Sequence, residues 1–101
     1  MIIEYIRYAL VTHTSAELIA AYQSAADALR ASPECLGFDL TVCSEAPECL
    51  ILRIKWISIE DHLNGFRKGP HFPPFFAAVR PFFDEIAEMR HYTPTDVEWT
   101  Q

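Results

Sequence analysis

An apolar run ending at Trp56 passes within two residues into a helix start, Ser58-Ile-Glu-Asp61. The chain then breaks at Gly69-Pro70-His71-Phe72 before a second, aromatic-rich helix. This junction restricts the folds open to the chain. A strand delivers its last large side chain to one end of a sheet, and a crossover split into two helices starts there. Ser58 and Asp61 have capping-box spacing, although Glu or Gln is more usual than Asp at the second position. The arrangement brings a Trp, a titratable imidazole and several Phe rings toward one end of a small α+β unit, a setting for a flat apolar ligand.

The remaining elements follow from periodicity and punctuation. Residues 2–11 are rich in Ile, Tyr, Val and Leu, with Glu4 and Arg7 the only charges, which predicts a strand buried on much of both faces. Thr14 and Glu17 have capping-box spacing ahead of Leu18, Ile19, Tyr22, Ala25, Ala26 and Leu29, so a helix is expected over 16–31, stopped by Ser32-Pro33. Two strand-like runs, 35–43 and 49–57, flank a polar stretch carrying Pro47 and predict a hairpin. Ile59, Leu63 and Phe66 form the expected buried stripe of the short helix. A further helix is expected from Pro73 toward Ile86, bent at Pro81, and 88–93 alternates as a last strand.

The order is βαββαβ, with the second crossover split into two helices. It predicts a ferredoxin-like unit, a four-stranded antiparallel sheet with helices on one face. One domain over 1–94 is expected, with a tail, 95–101, whose Val97 and Trp99 are available to a partner subunit. Half of the 101 residues are hydrophobic. A second copy, sheet against sheet, is the simplest cover for the helix-free face.

The charge balance narrows the partners. Net charge is −6, and the 8 Lys and Arg residues form no cluster, so no basic face is expected for nucleic acid or an anionic membrane. No run approaches a membrane span and no signal-peptide pattern opens the chain, which places it in the cytoplasm. Cys35, Cys43 and Cys49 form no Cys-x-x-Cys pair. Cys43 and Cys49 could face each other across the hairpin, but reduced, packed thiols fit that compartment better. No His and carboxylate set has metal-ligand spacing, and neither a phosphate loop nor a nucleophile elbow is present.

The strand Ile2–Val11, the turn Ser32-Pro33-Glu34-Cys35-Leu36-Gly37-Phe38, the join Leu52-Arg-Ile-Lys-Trp56-Ile-Ser58, and Gly69-Pro70-His71-Phe72 with Phe75 together resemble the antibiotic biosynthesis monooxygenase-like family of dimeric α+β barrels. The resemblance implies a homodimer with one small cavity per subunit. It also implies oxidation of quinols, anthrones or similar hydroxylated aromatics by O2, without flavin, haem or metal. The sequence departs from the family on the short helix, where many members carry another His and this chain reads Asn64-Gly65-Phe66. The haem-degrading branch needs an iron-ligating His and a Trp where Phe75 and Gly65-Phe66 stand here, so haem degradation is disfavoured.

Within that frame His71 is the candidate proton acceptor, an imidazole at a helix-entry corner. The alternative is that its ring caps the helix or bonds a loop carbonyl. Trp56, Phe72 and Phe75 are candidates to frame a substrate ring, although strand-end Trp and helical Phe residues are more often plain core. Asn64 could reach a ligand oxygen, whereas His62 beside it is expected in solvent. His91 and Arg90 point to opposite faces of the last strand. Arg90 with Tyr92 could steady a phenolate, or pair with Glu88 or a carboxylate across a dimer. Two other readings use the same fold: a non-catalytic dimer that binds a small ligand or serves as an interaction module, and an isomerase or cyclase that shuttles protons without O2.

Overall fold

In the computed structural model, which covers residues 1–101, the Thr14 hydroxyl accepts the Glu17 N–H (3.2 Å) and the Glu17 carboxylate accepts the Thr14 N–H (2.9 Å). The capping box closes as the spacing predicts, and α1 runs from Ser15 to Ala31 with Ser32 as its C-cap. Leu18, Tyr22, Ala25, Ala26 and Leu29 form its buried stripe.

Four strands, β1 (Ile2–Ala9), β2 (Cys35–Val42), β3 (Cys49–Trp56) and β4 (Ile86–Tyr92), form one sheet in the order β2-β3-β1-β4. Every pairing is antiparallel, and the α+β unit is ferredoxin-like, as the element order predicts. β1 is not buried on both faces. Ile2, Glu4, Ile6 and Tyr8 are buried, while Ile3 and Tyr5 are half-buried and Arg7 is exposed. The period of two puts the first set under the helices and the second on the open face, where Arg53 pairs with Asp39 through two hydrogen bonds (3.0 and 2.6 Å). The register shifts opposite Arg7 and Tyr8, where Ala87 is the extra residue of β4. The bulge keeps Ile86 opposite Tyr8, on the side where Met89 faces Ile6 and His91 faces Glu4.

The crossover from β3 to β4 has three pieces. Ser58 Oγ accepts the Asp61 N–H (3.0 Å) and donates to the Asp61 carboxylate (2.8 Å), starting the turn as the capping spacing predicts. The chain then widens into a π-helix, Asp61–Phe66, with Arg67 N–H donating to the His62 carbonyl. α2 spans Phe72–Val79, and a 3-10 helix, Arg80–Glu85, takes over beside Pro81, where a bend is expected.

Glu85 ties the ends of the unit together. Its Oε1 accepts the N–H groups of Val11 (2.6 Å), Thr12 (2.7 Å) and His13 (3.2 Å), and its Oε2 meets His13 Nδ1 (2.5 Å). Four donors hold the carboxyl well below its ordinary range, at about 2. Cys43 and Cys49 are neighbours across the hairpin, and all three thiols are free. No helix is long and apolar enough to cross a membrane.

Candidate functional site

Between the helices and the inner face of the sheet lies a cavity of about 240 Å³. Its wall is mostly aromatic because the crossover lays Phe residues over the end of β3. Phe66 meets Trp56 (4.8 Å between centroids), Phe75 (5.4 Å) and Phe72 (5.7 Å, edge to face). Phe72 stacks on Phe76, which meets Phe83 edge-on. Ile6, Ile54, Val79 and Met89 complete the apolar lining. The volume suits one small ring system.

Polar groups occupy two places on this wall. Toward α1, the hydroxyls of Tyr8 and Tyr22 share a short hydrogen bond of 2.5 Å. Burial pushes the Tyr8 phenol up to about 12, and Tyr22 is raised for the same reason, so both remain neutral phenols. Four residues along the same face of β1, about 13 Å away at strand rise, is Glu4. Its side chain is buried, and Oε1 accepts the Trp56 indole N–H at 3.0 Å. The pairing explains the contact: Ile2 stands opposite Trp56, so Glu4 is the indole's diagonal neighbour on the inner face.

Two histidines extend from that carboxyl. The His62 ring stacks flat on Trp56 (4.5 Å, 10°), with Nε2 3.4 Å from Glu4 Oε1 and Nδ1 2.8 Å from His91 Nε2. His91 comes from β4, directly opposite Glu4. Burial lowers the His62 pKa to about 3, helped by Arg67 and His91, and burial with Arg67 also lowers His91. Glu4 is raised because loss of water outweighs the Trp56 hydrogen bond and the Arg67 charge. Near neutral pH the site therefore holds two uncharged imidazoles beside a carboxyl whose pKa burial raises.

Trp56, Phe72 and Phe75 stand on the cavity wall, where the sequence places them. Four other candidates do not. His71 is the half-buried N-cap residue of α2. Its side chain does not cap the helix, and its backbone carbonyl accepts the Phe75 N–H. Asn64 is exposed, on the side of the π-helix away from the buried His62 and Phe66. Ile59 and Leu63 are more than a third exposed and His62 only 3% exposed, so of the expected stripe Phe66 alone is buried, with His62 beside it. Arg90 and Tyr92 lie opposite Tyr5 and Ile3 on the open face of the sheet, where Tyr92 packs edge-on against Tyr5 and donates to Glu88 (3.3 Å).

The sequence gives no metal-ligand spacing, yet the fold gathers a carboxylate and two imidazoles. Glu4, His62 and His91 each offer one ligand atom within 4.8 Å of the others. They come from three separate elements, which is why no local spacing announces them. Their close contacts, however, form a chain. His62 turns one ring nitrogen to Glu4 and the other to His91, and the lone pairs of one imidazole diverge. The arrangement is suited to passing protons along a line.

Comparison with known proteins agrees with this architecture. The signature of the family described as antibiotic biosynthesis monooxygenase matches residues 1–78. A curated relative, the uncharacterized protein YczJ of Bacillus subtilis (strain 168), is 24% identical over 72 residues, 71% of this chain and 76% of that protein. Among solved structures, SnoaB, a cofactor-independent oxygenase from Streptomyces nogalater, superposes with a TM-score of 0.74 at 18% identity, covering 96% of this chain and 97% of its own. A conserved protein from Methanosarcina mazei Go1 gives 0.73 at 18% identity, over 93% of this chain and 92% of that one. At these identities the structural likeness speaks to the fold.

Proposed function

The chain belongs to the antibiotic biosynthesis monooxygenase family, and from that premise we propose that it oxidises a hydroxylated aromatic, of the quinol or anthrone type, with O2 and no cofactor. The observation that carries this reading is an aromatic cavity bounded on one side by a buried carboxyl and imidazole, Glu4 and His62. Trp56, Phe72 and Phe75 frame the ring, and its hydroxyl is directed to Glu4 and His62. Removal of the hydroxyl proton makes an electron-rich anion that can reduce O2, and an apolar wall excludes water from the reactive species. For an anthrone, the substrate CH2 becomes C=O, one oxygen atom enters the product, and the other leaves as water with the two hydrogens.

The reading moves the proton acceptor from His71 to His62, because His62 is on the wall and His71 is not. It also includes a cytoplasmic homodimer joined through the open sheet face. There Ile3, Tyr5 and Ile51 present apolar surface beside the Arg53–Asp39 pair. Trp99 in the tail is 81% exposed and available to the partner.

The test is O2 uptake by metal-stripped protein over a panel of hydroquinones and anthrones, with His62→Gln and His71→Ala alongside. Uptake above autoxidation that falls at least tenfold in His62→Gln and changes less than twofold in His71→Ala is expected. Absence of uptake across the panel, together with tight binding of the same compounds, would replace the oxygenase by a ligand-binding protein.

A further inference from the structure

We infer that His62 and His91 form a proton relay leading from the buried cavity, beside Glu4, to the edge of the sheet, with His62 as the group that takes the proton and His91 as the group that lets it do so. The inference deepens the proposed oxygenase site by naming how it handles a ligand's hydroxyl proton. It rests on three placements. Glu4 and His62 line the cavity, whereas His91 does not. His91 is half-buried on β4, an edge strand of the sheet. Both ring nitrogens of His62 are directed, Nδ1 to His91 Nε2 at 2.8 Å and Nε2 toward Glu4 Oε1 at 3.4 Å.

The second contact is longer than a strong hydrogen bond, so of the two nitrogens of this cavity-lining ring Nε2 is the one without a close partner, and we assign it to the ligand hydroxyl. The first is short and ready. A buried imidazole resists a second proton, and a lone His62 would therefore be a poor base. Giving up its Nδ1 proton as it gains one at Nε2 keeps the ring neutral throughout. The ligand O–H bond breaks and its electron pair stays on oxygen. A proton forms a bond to His62 Nε2, the Nδ1–H bond of His62 breaks, and that proton bonds to His91 Nε2. His91 carries the positive charge until it releases its other proton toward water.

The charged or titratable groups facing His62 are Glu4 from β1, His91 from β4 and Arg67 from the end of the π-helix. Arg67 opposes a standing charge on either histidine. Trp56 fixes the His62 ring plane by stacking and holds Glu4 by its indole N–H. The resting tautomer required is His62 protonated at Nδ1, donating to His91.

The probe is 4-nitrophenol, whose phenolate absorbs in the visible, added to the full chain labelled with 15N-histidine. In the free protein His62 is expected as the Nδ1–H tautomer by imidazole nitrogen shifts, and saturation with the dye is expected to convert it to Nε2–H. Bound dye is expected to show the phenolate band at least one pH unit below the pH where free dye does. His91→Phe and His91→Gln should both bind dye within about threefold of wild type yet hold it as the phenol, although Gln preserves a hydrogen bond to His62. A free protein with His62 protonated at Nε2 would overturn the relay whether or not the dye binds. So would a phenolate band that survives both His91 substitutions. A confirmed tautomer exchange without O2 consumption on any quinol would keep the relay and remove the oxygenase.

Discussion

Trp56 is fully buried and serves three neighbours at once. Its indole N–H bonds Glu4, its face carries the His62 ring, and Phe66 packs against it at a tilt. Replacing it with Phe keeps an aromatic wall but leaves a buried carboxyl without its donor. The expected cost is about 1–3 kcal/mol, read as a lowered urea midpoint with unchanged slope, and the His62 nitrogen shifts should move with it. At this scale the sequence was partly legible. Trp56, Phe72 and Phe75 could be found because a strand end and a helix start aim them at one place. The Glu4–His62–His91 chain could not, since its members lie 58 and 29 residues apart and meet only through strand register and an unusual helix.

Among the elements, the π-helix decides the most. Within it His62 and Phe66, four residues apart, share the buried side, and Asn64 lies outside. The turn closes tightly at Gly69, where an added Cβ would stand 2.7 Å from the Gly65 carbonyl oxygen. That contact is with backbone, which cannot swing aside. Gly69→Ala is expected to destabilise the fold by about 1–3 kcal/mol and to disturb the His62–Trp56 stack. Gly37→Ala, where a Cβ meets nothing within 4 Å, is the matched control. Thermal melts with near-ultraviolet circular dichroism would separate the two. Capping boxes and proline breaks made α1, the hairpin and the split crossover readable from sequence. The π turn was not readable, because an ordinary helical period assigns Ile59, Leu63 and Phe66 to the buried stripe.

For the molecule as a whole, two groups set the response to acid. His62 is held neutral, with its pKa lowered from 6.5 to about 3, so the unfolded chain binds that proton first. Its contribution is complete above pH 6.5 and declines as pH falls toward 3. Glu85, lowered from 4.5 to about 2 by His13 and the backbone donors, contributes above 4.5 and loses this as pH falls through about 2. Glu4 acts in the opposite sense, because a raised carboxyl favours the folded state in acid and loses that contribution as pH rises through its folded value. Melting temperature is expected to fall between pH 6.5 and 3. His62→Gln should flatten the upper part of that slope, and Glu85→Gln the part below pH 4.5. Unaltered slopes in both variants would show that neither group governs acid stability.

The sheet order also has a consequence for how the chain is made. Of the four strands β1 emerges from the ribosome before the others but lies in the interior of the sheet, between β3 and β4. Its second neighbour is the last of the four to be synthesised, and the carboxylate that pins the loop after β1 arrives 72–74 residues behind it. During translation the helices and the hairpin can form locally, while one flank of β1 stays open until β4 is out. A nascent chain held short of β4 therefore presents an uncapped strand edge and an apolar sheet face together, which is the interval when chaperone capture or pairing with a neighbouring nascent copy has most to act on.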